Sequence, residues 1–144
     1  MSINAQLDIA GTLDAHSNFR AEPGRTLCNV YAAAFLGLRG HVIPLGMTAN
    51  ELYDWFASPA AVGKGWRRAT KVEALDEANR GGDAVCVRED EPHGHIGVLV
   101  ESLPNTPGRL CVSAAGRENF VRAPLERSFG PLRATDAFFV NLGA

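Results

Sequence analysis

Cys28 opens the run CNVYAAAFLGL inside RTLCNVYAAAFLGLRG, residues 25–40, and the residues after it are small and apolar. A thiol at the start of a helix faces unpaired N–H groups and the positive end of the helix dipole, and both favour the thiolate. The ordinary fate of a cysteine is to be a small buried hydrophobe. Cys86 and Cys111 read that way, because they alternate with apolar neighbours inside strand-like runs. Cys28 alone has an activating position, but a thiolate needs a base before it can do chemistry.

A thiolate that attacks an amide needs an imidazole to hold the ion pair and later protonate the leaving amine. Of four histidines, His16 and His41 read as solvated. In PHGHIGVLV, His93 and His95 stand two residues apart at the mouth of a strand, a spacing that points both the same way. His95 begins the apolar run itself, so rigid structure would hold it, and it is the better base. A His-x-His pair could also be half a metal site. No third or fourth ligand stands at supporting spacing, unless folding recruits Cys28 or a carboxylate of REDE. Neither a metal nor a cofactor is expected.

These residues must be positioned by elements that the sequence announces. Residues 1 to about 25 read as irregular, ending in the breaker Pro23-Gly24. A first helix is expected from Leu27 to Leu38, capped by Thr26 and stopped at Gly40. It is apolar nearly all round and so belongs inside the protein. TANE (48–51) and TKVE (70–73) are capping boxes. The first opens a helix with Leu52, Trp55 and Phe56 on one face, ended by Pro59; the second opens a helix that stops at Gly81-Gly82. The period then becomes strand-like in DAVCVRE, HIGVLVES, RLCVSA and DAFFVNL, and PLERSFGP suits a short helical turn. Helices first and strands after describe one α+β domain over residues 1–144, with helices packed on an antiparallel sheet of four to six strands.

Composition narrows the function classes. The 144-residue chain is 46% hydrophobic and 21% charged, with a net charge of −2 and a pI near 6.1. It lacks the basic field and interleaved aromatics of a nucleic-acid module. Three cysteines without framework spacing argue against a disulfide scaffold. The N-terminal residues have no basic start or continuous apolar core of a signal peptide, and no apolar run reaches membrane-spanning length. Synthesis in the cytoplasm is expected.

A cysteine at a helix start, further helices, then a histidine opening a strand is the order of the papain-like cell-wall cysteine hydrolases. CNVYAAAFLGLRGHVIPLG resembles their nucleophile helix and the Ile-Pro turn after it. TANELYDWF resembles the Ala-Asn helix of one subgroup, and GHIGVLVES their Gly-His strand. AAGRENF…FG…FFV is similar to the end of the same subgroup, found in phage-associated lysins and amidase effectors of secretion systems. The likeness to these NlpC/P60- and CHAP-related amidases covers residues 16–142 with four motifs in register.

The resemblance implies Cys28 as nucleophile and His95 as general base and acid, passing through a thioester that water resolves. The substrate would be an amide in a peptidoglycan stem peptide, met in the cell wall or periplasm after lysis or specialised secretion. A monomer, with a cognate inhibitor or immunity protein as a further partner, is in keeping with that class. The residue that orients the imidazole departs from the pattern: its expected position is Ala114, which offers no polar side chain. Ser113 and Asn119 are the nearest substitutes, beside a backbone carbonyl. The Cys28 N–H would serve the oxyanion. Asn18, Arg20, Asn29 and His93 are substrate-binding candidates, as is Trp66, which would either flank the cleft or anchor a loop. An acyltransferase, a protein deamidase or a weakened binding module on the same fold are the competing readings.

Overall fold

The computed structural model describes residues 3–14, 19, 27–116 and 118–143. Its centre is a six-stranded sheet, in spatial order β1-β6-β2-β3-β4-β5, with every neighbouring pair antiparallel. The strands are β1 (Trp66–Ala69), β2 (Asp83–Arg88), β3 (His95–Val100), β4 (Cys111–Ala114), β5 (Phe120–Pro124) and β6 (Asp136–Asn141). The helices are α1 (Ile3–Leu13), α2 (Cys28–Leu38), α3 (Ala49–Phe56), α4 (Pro59–Gly63), α5 (Lys71–Asn79) and α6 (Leu125–Phe129).

The sheet is covered on both faces. Val85, Val87, Ile96, Val98, Val100 and Phe139 meet α1, α2 and α3 on one side. Cys86, Leu99, Val112, Ala114 and Phe138 meet α5 and α6 on the other. Double coverage explains why DAVCV and IGVLV are continuous apolar runs: alternate residues go to opposite cores, and both sets are buried. A fully buried Val or Leu in either contributes about 1.5–3 kcal/mol.

Local chemistry sets the element ends. Thr48 and Thr70 each accept from the N–H three residues on, and Glu51 and Glu73 accept the reciprocal bonds from the two threonine N–H groups. α2 starts at Cys28 with Leu27 as its N-cap residue, without a side-chain cap; Thr26, the expected cap, lies outside the described residues. At its other end Gly40 takes a φ of 91°, a left-handed conformation natural to glycine, and the chain closes with His41 N–H donating to the Leu36 carbonyl.

Four elements were not expected. α1 occupies part of the stretch read as irregular, and its Leu7, Ala10 and Leu13 pack against the first core. α4 begins at Pro59 because Ser58 caps it, so the proline that ends α3 also opens the next turn. β1 and β5 are the sheet's two edge strands, and neither shows clean alternation. β5 ends in Pro124, a residue tolerated where no partner strand needs its N–H.

Candidate active site

The two ends of α2 fix its direction over the sheet. Past its C-terminus, Arg39 donates to Asp83 (2.6 Å) and to the Gly81 carbonyl (2.7 Å), at the start of β2. One turn in from its N-terminus, the Tyr31 hydroxyl lies 2.6 Å from Ser113 Oγ, and Ser113 pairs with Val98 of β3. Near its N-terminus, Asn29 donates to the Met47 carbonyl (2.7 Å), just ahead of α3. Asn50 of α3 in turn donates to the Asp90 carbonyl (2.8 Å), beyond the end of β2. Because Arg88 pairs with His95, that end of β2 is where β3 begins. Cys28 and His95, the first residues of α2 and β3, therefore come to the same end of the sheet.

They do not take the same face. Ile96, Val98 and Val100 point to the α2 core, and Cys28 belongs to that core with only 4% exposure. His95 has the parity of Gly97 and Leu99, and its imidazole packs 4.5 Å from the Phe129 ring of α6, in the second core. Its Nε2 lies 2.7 Å from Ser128 Oγ on the same helix.

Glycines make room for this arrangement. A Cβ at Gly94 would fall 2.2 Å from the Arg88 carbonyl oxygen and 2.3 Å from Asn50 Oδ1. One at Gly97 would fall 2.3 Å from Val112 Cγ2 and 3.3 Å from Phe129. The Gly-His-Ile-Gly spacing is thus a packing requirement: the chain before His95 runs against β2, and Phe129 sits over Gly97.

Beside the imidazole, Arg88 and Asp136 form a bidentate pair at 2.6 and 2.9 Å, almost wholly out of solvent. The Arg133 N–H adds a third bond to that carboxylate at 2.7 Å. The guanidinium also lies over Phe129, 5.4 Å from its centroid. Burial first, and the nearby Arg88 charge second, push the His95 imidazole down to about 4, with Asp136 opposing weakly. Such a ring is neutral at pH 7. That opposes the thiolate–imidazolium pair expected from the sequence, which requires the ring already charged, and it makes the resting imidazole a weaker base than a free histidine.

The other expected residues are distributed as follows. Ser113 is wholly buried on the α2 face, bonded to Tyr31 and donating to the Phe120 carbonyl (3.2 Å), so its hydroxyl is engaged away from His95. Asn119 accepts from the Gly116 N–H (2.8 Å) and donates to the Phe19 carbonyl (2.9 Å), holding the turn beside the imidazole rather than the imidazole itself. Ala114 packs near Gly97 in the second core. His93 is exposed in the loop before β3. Trp66 is the clearest correction: it is 1% exposed, packs against Phe56 at 4.9 Å, and pairs with Asn141 at the opposite end of the sheet. It is a core residue there and cannot flank a cleft at His95. Asn18 and Arg20 lie outside the described residues.

Ser128 is the polar neighbour that sequence reading missed. The signal was slight, a serine in the short helical turn of PLERSFGP, 33 residues from its partner. Among the described residues, no group of three or more His, Cys, Asp and Glu side chains gathers as metal ligands, and no helix is long and apolar enough to cross a membrane. No protein-family model and no curated protein matches the chain.

Proposed function

We propose that this chain is a papain-like, NlpC/P60-related cysteine hydrolase that cleaves amide bonds in peptidoglycan stem peptides. The supporting observation is topological: Cys28 is the first residue of a helix packed on β3, and His95 is the first residue of β3, at the same end of the sheet. The motif order described above supports the same reading. In this mechanism the Cys28 sulfur attacks the amide carbonyl while His95 takes the thiol proton. The C–N bond then breaks as that proton passes to the leaving amine, and a thioester remains. Water attacks the thioester with His95 again as base, giving a carboxylic acid and the free thiol. The resting imidazole is neutral, but its low pKa makes it a weak base, so this route requires the bound substrate and the thiol to raise its basicity. The reading makes one geometric demand: the imidazole must be reached from the α2 side of the sheet end.

A second reading, a binding module with a weakened site, is favoured by the burial of Cys28 and by the turn of His95 toward α6. Mass spectrometry of purified peptidoglycan incubated with the protein separates the two. The hydrolase should release peptide fragments, and Cys28→Ala should abolish them while its circular dichroism stays unchanged. Co-sedimentation with peptidoglycan but no fragments from the native protein identifies the binding module. Undiminished cleavage by Cys28→Ala overturns the nucleophile assignment.

A further inference from the structure

We infer that Ser128 is the positioning residue for His95, holding Nε2 as its protonated nitrogen and leaving Nδ1 to accept the proton. The inference rests on the hydrolase reading for its purpose, but the geometry that carries it is independent of any substrate. Three contacts define the ring. Ser128 Oγ meets Nε2 at 2.7 Å, Phe129 packs on the imidazole at 4.5 Å, and Gly116 stands at the remaining edge. A Cβ on Gly116 would lie 3.2 Å from Cε1 and 3.9 Å from Nδ1, so a side chain there would press on Cε1, the carbon between the two nitrogens, and the glycine lets the ring keep its place. Asn119 fixes that glycine through its N–H.

A serine hydroxyl differs from the carboxylate or amide that commonly orients a catalytic histidine. It carries no charge to stabilise an imidazolium, yet it accepts a hydrogen bond as readily as it gives one. With Nε2–H donating to Ser128 Oγ, the lone pair of the neutral ring is confined to Nδ1. That atom then takes the thiol proton and returns it to the leaving amine, so proton transfer is confined to one edge of the ring. Ser113 and Asn119, the polar residues nearest in sequence to the expected orienter, are engaged with Tyr31 and with the Gly116 turn.

The test reads the tautomer directly. Long-range proton–nitrogen NMR on 15N-labelled protein at pH 7, with His95 assigned by its loss in His95→Gln, should show protonated Nε2 and unprotonated Nδ1. Ser128→Ala should mix the tautomers, and Ser128→Thr, which keeps a hydroxyl, should restore the native pattern. If peptide fragments are released, Ser128→Ala should lower kcat roughly tenfold or more with KM little changed. A native ring protonated at Nδ1, or the same tautomer in Ser128→Ala as in the native protein, overturns the inference. Failure to release fragments, with the tautomer pattern as expected, removes the hydrolase reading and leaves the positioning intact.

Discussion

The His95 imidazole packs against the Phe129 ring at 4.5 Å, and the same ring also carries the guanidinium of Arg88, the cross-strand neighbour of His95, 5.4 Å from its centroid. Phe129 is 3% exposed and ends α6, so one side chain both anchors that helix and desolvates the histidine. Phe129→Ala should cost about 3–5 kcal/mol, because it opens a cavity between α6 and the sheet. Phe129→Leu should cost roughly 1.5 kcal/mol or less. In both variants the partly buried imidazole gains access to more water, and its pKa should rise from about 4 toward the ordinary 6.5. Urea unfolding and NMR titration of His95 measure the two effects separately.

A histidine held neutral by burial ties stability to pH with a definite sign. The unfolded chain protonates His95 near 6.5, while the folded protein resists until about 4. Between those values the unfolded state binds the extra proton, so stability is complete above about 6.5 and falls as the pH drops toward 4. At about 1.4 kcal/mol per pKa unit, the full loss is on the order of 3 kcal/mol. His95→Gln should lack this component, so the stability difference between variant and native protein should change by that amount from pH 7 to pH 4. Equal pH dependence in the two proteins, measured by urea titration, would contradict the burial argument.

Much of the scaffold was legible because its signals are local. The capping boxes at Thr48 and Thr70 act within four residues, and both helices start where they predict. The apolar runs of β2, β3 and β6 are long enough to show their period. Edge strands gave less: β1 has four residues with two exposed arginines in the middle, and β5, FVRAP, buries only Ala123 fully and ends in a proline. In α1 the buried face includes the polar Gln6 beside Leu7, Ala10 and Leu13, and the reading as irregular followed the breakers instead. Within the candidate site, the positions of Cys28 and His95 at element starts were legible. The face that His95 takes was not, because it depends on where Phe129 and Ser128 pack from a helix that follows two strands later. A tertiary contact of that kind leaves no spacing to read.

Tyr31 and Ser113 supply the last prediction, and it bears on the histidine's partner. Their hydroxyls meet at 2.6 Å in a region closed to water, and burial raises the Tyr31 pKa despite the bond to Ser113. Removing either hydroxyl leaves the other short of a partner, although Ser113 retains the Phe120 carbonyl. Tyr31→Phe and Ser113→Ala should each cost about 1–2 kcal/mol. The double variant should cost less than the sum, since no orphaned hydroxyl remains. Because this pair lies on the α2 face and His95 turns to α6, Ser113→Ala should leave the His95 tautomer unchanged, where Ser128→Ala shifts it. A double-mutant cycle by urea denaturation and the NMR tautomer pattern decide the point: a tautomer that moves with Ser113 and not with Ser128 would return the orienting role to β4.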